Sequence, residues 1–541
     1  MSRPHPATLF GIFVAVIVAM CGTALLKGGL YLGKHEGDTL HLLEIVFRMA
    51  DGQWPHLDFM TPIGALAFWP IVAFVNAGFG IGMSIMLSQA LVAIILLPAL
   101  VWIGISRLGR WQAVLFGVII LVLVTALVHG EAQRSVSISM HYNRWAWALA
   151  FVALAVGVFR PVHRESRIID GVIVGAALFG LAMIKVTYFG AFGVPVVVAM
   201  AMRRSFDALI VAFVSGLILA AIVTLMAGVG YWAAYLGDLL AVANSDVRPF
   251  PSEPLGAVMG APAYLGGSLV LIAAVIFLRQ AKQDRAGLLL LLMVPGFFYV
   301  TYQNFANDPQ WLLFLGLFIL ASMPHDDVVN GWGWSMRPVL AGTTVAAFAL
   351  TAPSFFNMAY SPFRHLKIDP EKYVQFLPRA DLNGDLYVAR IRAYRADQRG
   401  PLDAGDPALA AYQDIPEAIT VATFRGEDLP VCALELGMIA WFDAITQDLE
   451  AAGFSGNKSI FAADLFSSHW LFGDFIPVEQ GAPWYYGGLP GLRNADYLLV
   501  PLCPVIHEVR SSILKDVEDS GVDLREIRRT PLYILFDILE N

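Results

Sequence analysis

The sequence predicts a polytopic α-helical membrane protein of about eleven spans with a C-terminal extracytoplasmic α/β domain. Three observations predict it. Apolar runs of membrane-crossing length recur from residue 7 to residue 353. Charged residues make up only 14% of the chain, against about 25% in average soluble domains. The charge is also split. Residues 354–541 hold 16 Lys/Arg and 27 Asp/Glu, net −11, whereas residues 1–353 hold 19 and 16, net +3. The expected division is a membrane domain, 1–353, and an acidic water-soluble region, 354–541, long enough for its own core. No basic tract exists, so no nucleic-acid partner is expected.

Residues 7–31 are apolar apart from Lys27. The run is too long for a signal-peptide core and has no small-residue cleavage pattern, so it reads as an uncleaved first span with its N-terminus in the cytoplasm. An outer loop with juxtamembrane helices, residues 30–79, follows. Its first part concentrates His35, Glu36, Asp38, His41, Glu44, Arg48, Asp51, His56 and Asp58. On a helix over 38–51, Asp38, His41, Glu44, Arg48 and Asp51 share an arc of roughly 140°. The opposite face is largely apolar, which predicts a helix lying in the membrane interface with its acidic side in water.

Residues 63–77 are apolar but number fifteen and contain Pro70. If they do not cross, the next spans are 80–105, 112–129, 142–159, 169–184, 188–202, 206–229, 264–279, 286–302, 309–323 and 338–353. Arg3, Arg107, Arg110, Arg160, Arg164, Arg167, Arg203, Arg204, Arg279, Lys282, Arg285 and Arg337 then share the cytoplasmic side. A crossing at 63–77 would move eleven of these twelve outside, against the positive-inside rule. The segment is therefore expected at the interface. The short pair 169–184 and 188–202 also reads as one broken helix. Residues 230–263 read as a long outer loop carrying Asp238, Asp246, Arg248 and Glu253.

In the C-terminal region, strand-like runs at 418–424, 459–463, 497–501 and 532–536 alternate with helical stretches at 436–451 and 506–520. The run Trp484-Tyr485-Tyr486-Gly487-Gly488 reads as an aromatic loop facing either a ligand or the membrane surface. Cys432 and Cys503 are open to two readings, one disulfide in an oxidising compartment or two buried thiols. Cys21 reads as packing.

Several outer loops bring acids, cations and amides to one membrane face: Asp38 and Asp58; Glu131, Arg134 and His141, leading into Tyr142-Asn143-Arg144; Lys185; and Gln303, Asn304 and Asp308. Carboxylates can activate a hydroxyl, cations can neutralise a leaving phosphate, and amides can bind sugar hydroxyls. Each has a plainer reading. Asp38 suits a helix N-cap, Asp58 a turn, Glu131 a solvated loop, Lys185 a snorkelling anchor, and Asn304 and Asp308 helix caps. Asp38 with His41 or His35 would also suit a divalent ion, although no spacing is diagnostic and no other cofactor is indicated.

The order of pieces carries a resemblance. A span leads to Glu36-Gly37-Asp38, then an amphipathic stretch, Gly52-Gln53-Trp54-Pro55-His56-Leu57-Asp58-Phe59 and Thr61-Pro62-Ile63-Gly64. Tyr142-Asn143-Arg144 opens a later span and Lys185 separates two short ones. This resembles the GT-C glycosyltransferases, polytopic enzymes akin to arabinose and mannose transferases that use polyprenyl-phosphate sugars. The resemblance covers most of residues 1–353, and the C-terminal region is similar in position only. It implies a lipid-linked sugar donor, a glycan, lipid or protein acceptor, and an inner (plasma) membrane location. Asp38 would be the catalytic base, Glu131 a second acid, and Asp58 would hold the loop or acceptor. Lys185 and Arg134 would meet the lipid phosphate, with Arg144, His41, Asn304 and Asp308 as further substrate contacts. Gly37-Asp38 departs from the Asp-Glu-like pair of many relatives, leaving Glu36 or His41 as partner of Asp38. The rival readings are a transporter or flippase of lipid-linked sugars and a non-catalytic envelope assembly protein. The former predicts ionisable groups in mid-span, the latter tolerance to loss of the loop acids.

Overall fold

An α-helix satisfies its own backbone polar groups and shows only side chains to lipid, so long apolar runs settle as helices. A computed structural model describes residues 4–245, 247, 254–304, 308–379, 384–400, 407–408 and 421–539. Helix α1 (Pro6–Ile17) passes through a π-turn at Val18–Gly22 into α2 (Thr23–Leu25). The first apolar run therefore stops being helical at Leu25, and its last residues, Leu30–Leu32, form strand β1. Helix α3 (Glu36–Ala50) follows, then a 3-10 turn at Ala65–Ala67 and α4 (Trp69–Asn76). Eight residues make α4 about 12 Å long, well under a hydrocarbon core of about 30 Å.

The remaining apolar runs form α5 (Ile81–Arg107), α6 (Arg110–Thr125), α7 (His141–Val158), α8 (Arg167–Ile184), α9 (Val186–Met202) and α10 (Phe206–Ala227). After α11 (Gly230–Ala243) and α12 (Leu255–Gly260) come α13 (Pro262–Gln280), α14 (Asp284–Gln303), α15 (Trp311–Ala321) and α16 (Met336–Leu366). Among the described residues, seven stretches are long and apolar enough to cross a membrane: Pro6–Leu25, α5, α8, α10, α13, α14 and α16. Three more, α6, α9 and α15, are apolar but shorter. This is the construction of a membrane-embedded protein.

Three expectations need correction, and one boundary left open in the sequence is now located. The stretch 230–263 is not one loop, since α11 occupies its first 14 residues and packs Tyr231 and Tyr235 against His56; Asp246, Arg248 and Glu253 lie outside the described residues. The span drawn to 129 ends at Thr125, and 126–139 is irregular backbone. Lys185, with φ −154° and ψ 103°, is the single residue separating α8 from α9. The boundary at 353 falls inside α16, which runs on to Leu366 with Pro353 and Pro362 in its interior.

Beyond α16 come β2 (Tyr373–Gln375), β3 (Leu386–Ala389), α17 (Arg390–Tyr394) and β4 (Asp397–Arg399). Then follow β5 (Thr423–Phe424), β6 (Glu427–Asp428), β7 (Ala433–Leu436), α18 (Met438–Ala451), β8 (Ile460–Ala462), β9 (Tyr497–Pro501), α19 (His507–Asp519), β10 (Leu524–Arg529) and β11 (Tyr533–Ile538). The predicted strands at 459–463, 497–501 and 532–536 and both predicted helices are present; of 418–424, residues 418–420 lie outside the described residues. A four-stranded sheet has the order β10-β11-β9-β8, with β8 and β9 parallel and the other pairs antiparallel. Cys432 and Cys503 form a disulfide with Cα atoms 4.9 Å apart.

The C-terminal region does not stand apart from the outer loop. Strand β1 pairs in parallel with β3, Leu30 with Leu386 through Leu32 with Val388. Asp385 caps α5 from the side, accepting the amides of Gly82 at 2.9 Å and Met83 at 2.7 Å. A Cβ on Gly82 would lie 2.3 Å from the Asp385 carbonyl, so glycine there permits the approach. The polar face of α3 is likewise not in water. Glu36, His41, Glu44 and Arg48 are all buried. Glu44 pairs with Arg48 at 3.2 Å and accepts the Ser468 hydroxyl, while Arg48 donates to the Val478 carbonyl at 3.0 Å. Amphipathicity was correctly legible there, but the polar side meets protein. Buried charges persist because each has a partner.

Candidate active site

Asp38 sits in the first turn of α3, whose preceding residue, His35, adopts the left-handed conformation (φ 64°, ψ 49°). Such a backbone costs energy for a non-glycine residue and persists only where surroundings enforce it. Here the His35 ring is held by Ser137 Oγ, 2.9 Å from Nδ1. Ser139, two residues on, donates its hydroxyl to Asp38 Oδ2 at 2.5 Å. Its amide donates to Ser137 Oγ at 3.1 Å, and Gly33 N–H meets the Val136 carbonyl at 2.9 Å. The start of the predicted outer loop 30–79 and the irregular segment 126–139 are thus laced together beside one carboxylate.

A 260 Å³ cavity opens at that carboxylate, lined by Glu36, Asp38 and Arg392 among others, with Phe466 and Trp484 supplying aromatic surface. Arg392, on α17, holds Glu36 through two hydrogen bonds, one of 2.8 Å from Nη2 to Oε2. A Cβ on Gly37 would lie 3.1 Å from Phe466, so the bare backbone lets the C-terminal region close on α3. Trp484 of the aromatic loop faces this cavity, and its ring lies 5.4 Å from that of His41, one turn beyond Asp38.

Next to this cavity lies a polar cluster. Glu131 pairs with Lys34. His129 stands 3.9 Å from Glu131 and its ring is 5.1 Å from that of His35. Both His129 ring nitrogens are buried without a hydrogen-bond partner among the described residues. Burial, then the charges of His35, Lys34, Arg144 and Lys185, push its pKa down to about 3. Burial, with Lys34 and Arg392, likewise lowers His35 to about 4. Asp308 goes the other way, up to about 6, because of burial and then the nearby Glu131 carboxylate.

Lys185 belongs to a second group. Its ammonium donates to Asn143 Oδ1 at 2.9 Å and Asn304 Oδ1 at 2.5 Å, and lies 5.5 Å from the Tyr142 ring centre. Breaking the helix at 185 directs this cation to the end of α7 and α14 rather than into lipid.

Not every predicted site residue joins these groups. Asp58 lies beyond the far end of α3, which separates residues 38 and 50 by about 18 Å. Its carboxylate accepts the Trp54 amide at 2.6 Å, so it closes a turn. Arg134 is exposed, and its carbonyl accepts from Arg364. Arg144 is fully buried and donates to the Leu123 carbonyl at the end of α6. Among the described residues, no three His, Cys, Asp or Glu side chains are grouped to hold a metal ion, and His35 and Asp38 each engage a serine instead.

His129, Ser137, Ser139 and Arg392 were not singled out from sequence. His129 was absorbed into the apolar run 112–129, although a histidine ending such a run is itself a signal. Arg392 had no local signal, because its partner is 356 residues away. Comparison with known proteins does not decide among the readings: no family model, curated protein or solved structure matches the chain.

Proposed function

We propose that the protein is a membrane glycosyltransferase that moves a sugar from a polyprenyl-phosphate-type lipid to an acceptor hydroxyl. The reaction runs on the outer face of the inner (plasma) membrane, with the N-terminus in the cytoplasm and eleven spans. Asp38 takes the acceptor proton as the oxygen attacks the anomeric carbon. The bond from that carbon to the phosphate oxygen breaks, the electron pair leaves with the lipid phosphate, and Lys185 offsets the charge. The carrying observation is the placement of the Asp38 carboxylate, fixed by Ser139, at the wall of a cavity between the outer loop and the C-terminal region.

Three further facts support the reading. Arg107, Arg160, Lys282 and Arg285 line one common cavity of 400 Å³, so cationic loops assigned to the cytoplasm share one end. The disulfide suits an oxidising compartment for the C-terminal region. In the helices read as spans, ionisable residues stand near helix ends, as Arg107, Arg144, Asp170 and Asp207 do, which disfavours transport.

The test is transfer from labelled polyprenyl-phosphate sugars by purified protein. Wild type is expected to transfer and Asp38→Asn to lose at least about a hundredfold in rate, the scale of general-base catalysis. Equal transfer by both proteins would remove Asp38 from the mechanism. No transfer from any donor would favour the assembly-protein reading.

A further inference from the structure

The cavity beside Asp38 has a composition that selects among acceptors. We infer that it is a carbohydrate-binding site, built jointly by α3 and the C-terminal region, that seats the terminal sugar ring of a glycan acceptor. This rests on the glycosyltransferase reading only for the word acceptor; the binding site stands on its own geometry.

A sugar ring has an apolar C–H face and a rim of hydroxyls. The cavity offers both complements. Trp484 meets the buried Phe466 edge to face, ring centres 5.1 Å apart, so Phe466 fixes the indole and Trp484 supplies the accessible aromatic surface. Glu36, Asp38 and Arg392 supply charge. Arg392 commits Nε and Nη2 to Glu36 and keeps Nη1 without a protein partner among the described residues. A guanidinium held in this way presents a donor in a fixed direction, which suits a neutral hydroxyl, and charged groups make the stronger hydrogen bonds.

Size and polarity argue against the other acceptors. At 260 Å³ the cavity lies just below drug-sized sites, which run about 300–1,000 Å³. It therefore holds a ring rather than a long chain. A hydrocarbon chain would bury two carboxylates and a guanidinium against apolar matter, which is costly. A peptide hydroxyl carries no flat apolar face to set on Trp484. Within the aromatic loop Tyr485 and Tyr486 are buried, whereas Trp484 is only partly buried and keeps surface for a ligand.

The experiment uses the full chain in nanodiscs and fluorescently labelled glucan, mannan, galactan and arabinan oligosaccharides, read by thermophoresis. At least one should bind, with Trp484→Ala weakening it about tenfold or more and Trp484→Phe retaining most of the affinity. A diazirine-bearing version of the bound oligosaccharide should label peptides containing residues 434–438 or 484 in the wild-type protein, a readout free of any folding defect in the variants. Labelling elsewhere, or equal affinity in Trp484→Ala, overturns the inference. Transfer to lipid or peptide acceptors without any oligosaccharide binding also overturns it, and leaves the glycosyltransferase reading intact. Oligosaccharide binding that depends on Trp484, with no transfer from any lipid donor, supports this site and removes that reading.

Discussion

Ser139 donates its hydroxyl to the Asp38 carboxylate across 2.5 Å, joining two loops that lie 101 residues apart in the chain. A hydrogen bond to a charged group contributes about 1.5–3 kcal/mol. On the proposed mechanism, Ser139→Ala loosens the carboxylate that faces the attacking hydroxyl. The expected result is a fall in kcat of about ten- to a hundredfold with KM little changed. Asp58→Ala is the contrast, since its carboxylate only closes a turn: thermal stability should drop while kcat stays within about threefold. Steady-state kinetics and melting curves on both variants check the pair.

Asp385 supplies two acceptors to the first amides of α5, a capping role taken from a distant segment. Losing a cap costs about 0.5–2 kcal/mol. Asp385→Ala should therefore lower the melting temperature in detergent. Gly82→Ala should do so more strongly, because its new methyl group meets the Asp385 carbonyl backbone. A melting temperature equal to wild type in both variants would show that the C-terminal region is not docked there.

His129 and His35 set a pH dependence whose sign can be worked out. Both are held well below the ordinary histidine value of 6.5, at about 3 and about 4. As pH falls below 6.5 the unfolded chain takes up protons that the folded chain refuses. Stability present at neutral pH is thus lost on acidification, by roughly 1.4 kcal/mol per pH unit for each such group between the two values. Asp308, raised to about 6, acts oppositely and favours the folded state as pH falls through 6. His129→Gln should flatten the decline of melting temperature between pH 6.5 and 4, and Asp308→Asn should steepen it.

The chain holds three cysteines, of which Cys432 and Cys503 are joined and Cys21 is free. Thiol titration after denaturation without reductant should count one thiol per chain, and three after reduction. Cys432→Ser with Cys503→Ser should destabilise the C-terminal region by about 2–5 kcal/mol. Three thiols before reduction would defeat this pairing.

The helices were legible because a long apolar run has one way to satisfy its backbone. Their ends were less so. Ala126, Leu127 and Val128 are as apolar as the helix before them, yet they form buried loop, with Leu127 N–H meeting Ser361 Oγ at 2.9 Å. Nothing in their composition separates the two states. The face of α3 was read correctly and its surroundings were not. Hydrophobic periodicity reports which side is polar, while only the tertiary fold decides whether water or Ser468, Val478 and Arg392 covers it. Asp38 stood out as a candidate because acids are scarce in such a chain. Its companions Ser137, Ser139 and Arg392 are ordinary residues made notable by placement.

The pairing of Leu30–Leu32 with Leu386–Val388 sets an order for biogenesis. At about 5–20 residues per second, the ribosome needs roughly 20 to 70 s to reach the second strand after making the first. The apolar helices from α5 to α16 are all synthesised in that interval, after the first span. During it Glu36 has no Arg392, Glu44 has no Ser468, and the wall bearing Trp484 does not exist. The surroundings of Asp38 are therefore completed only after the membrane helices, and a nascent chain arrested before residue 386 would be an apolar-helix precursor without the cavity beside Asp38.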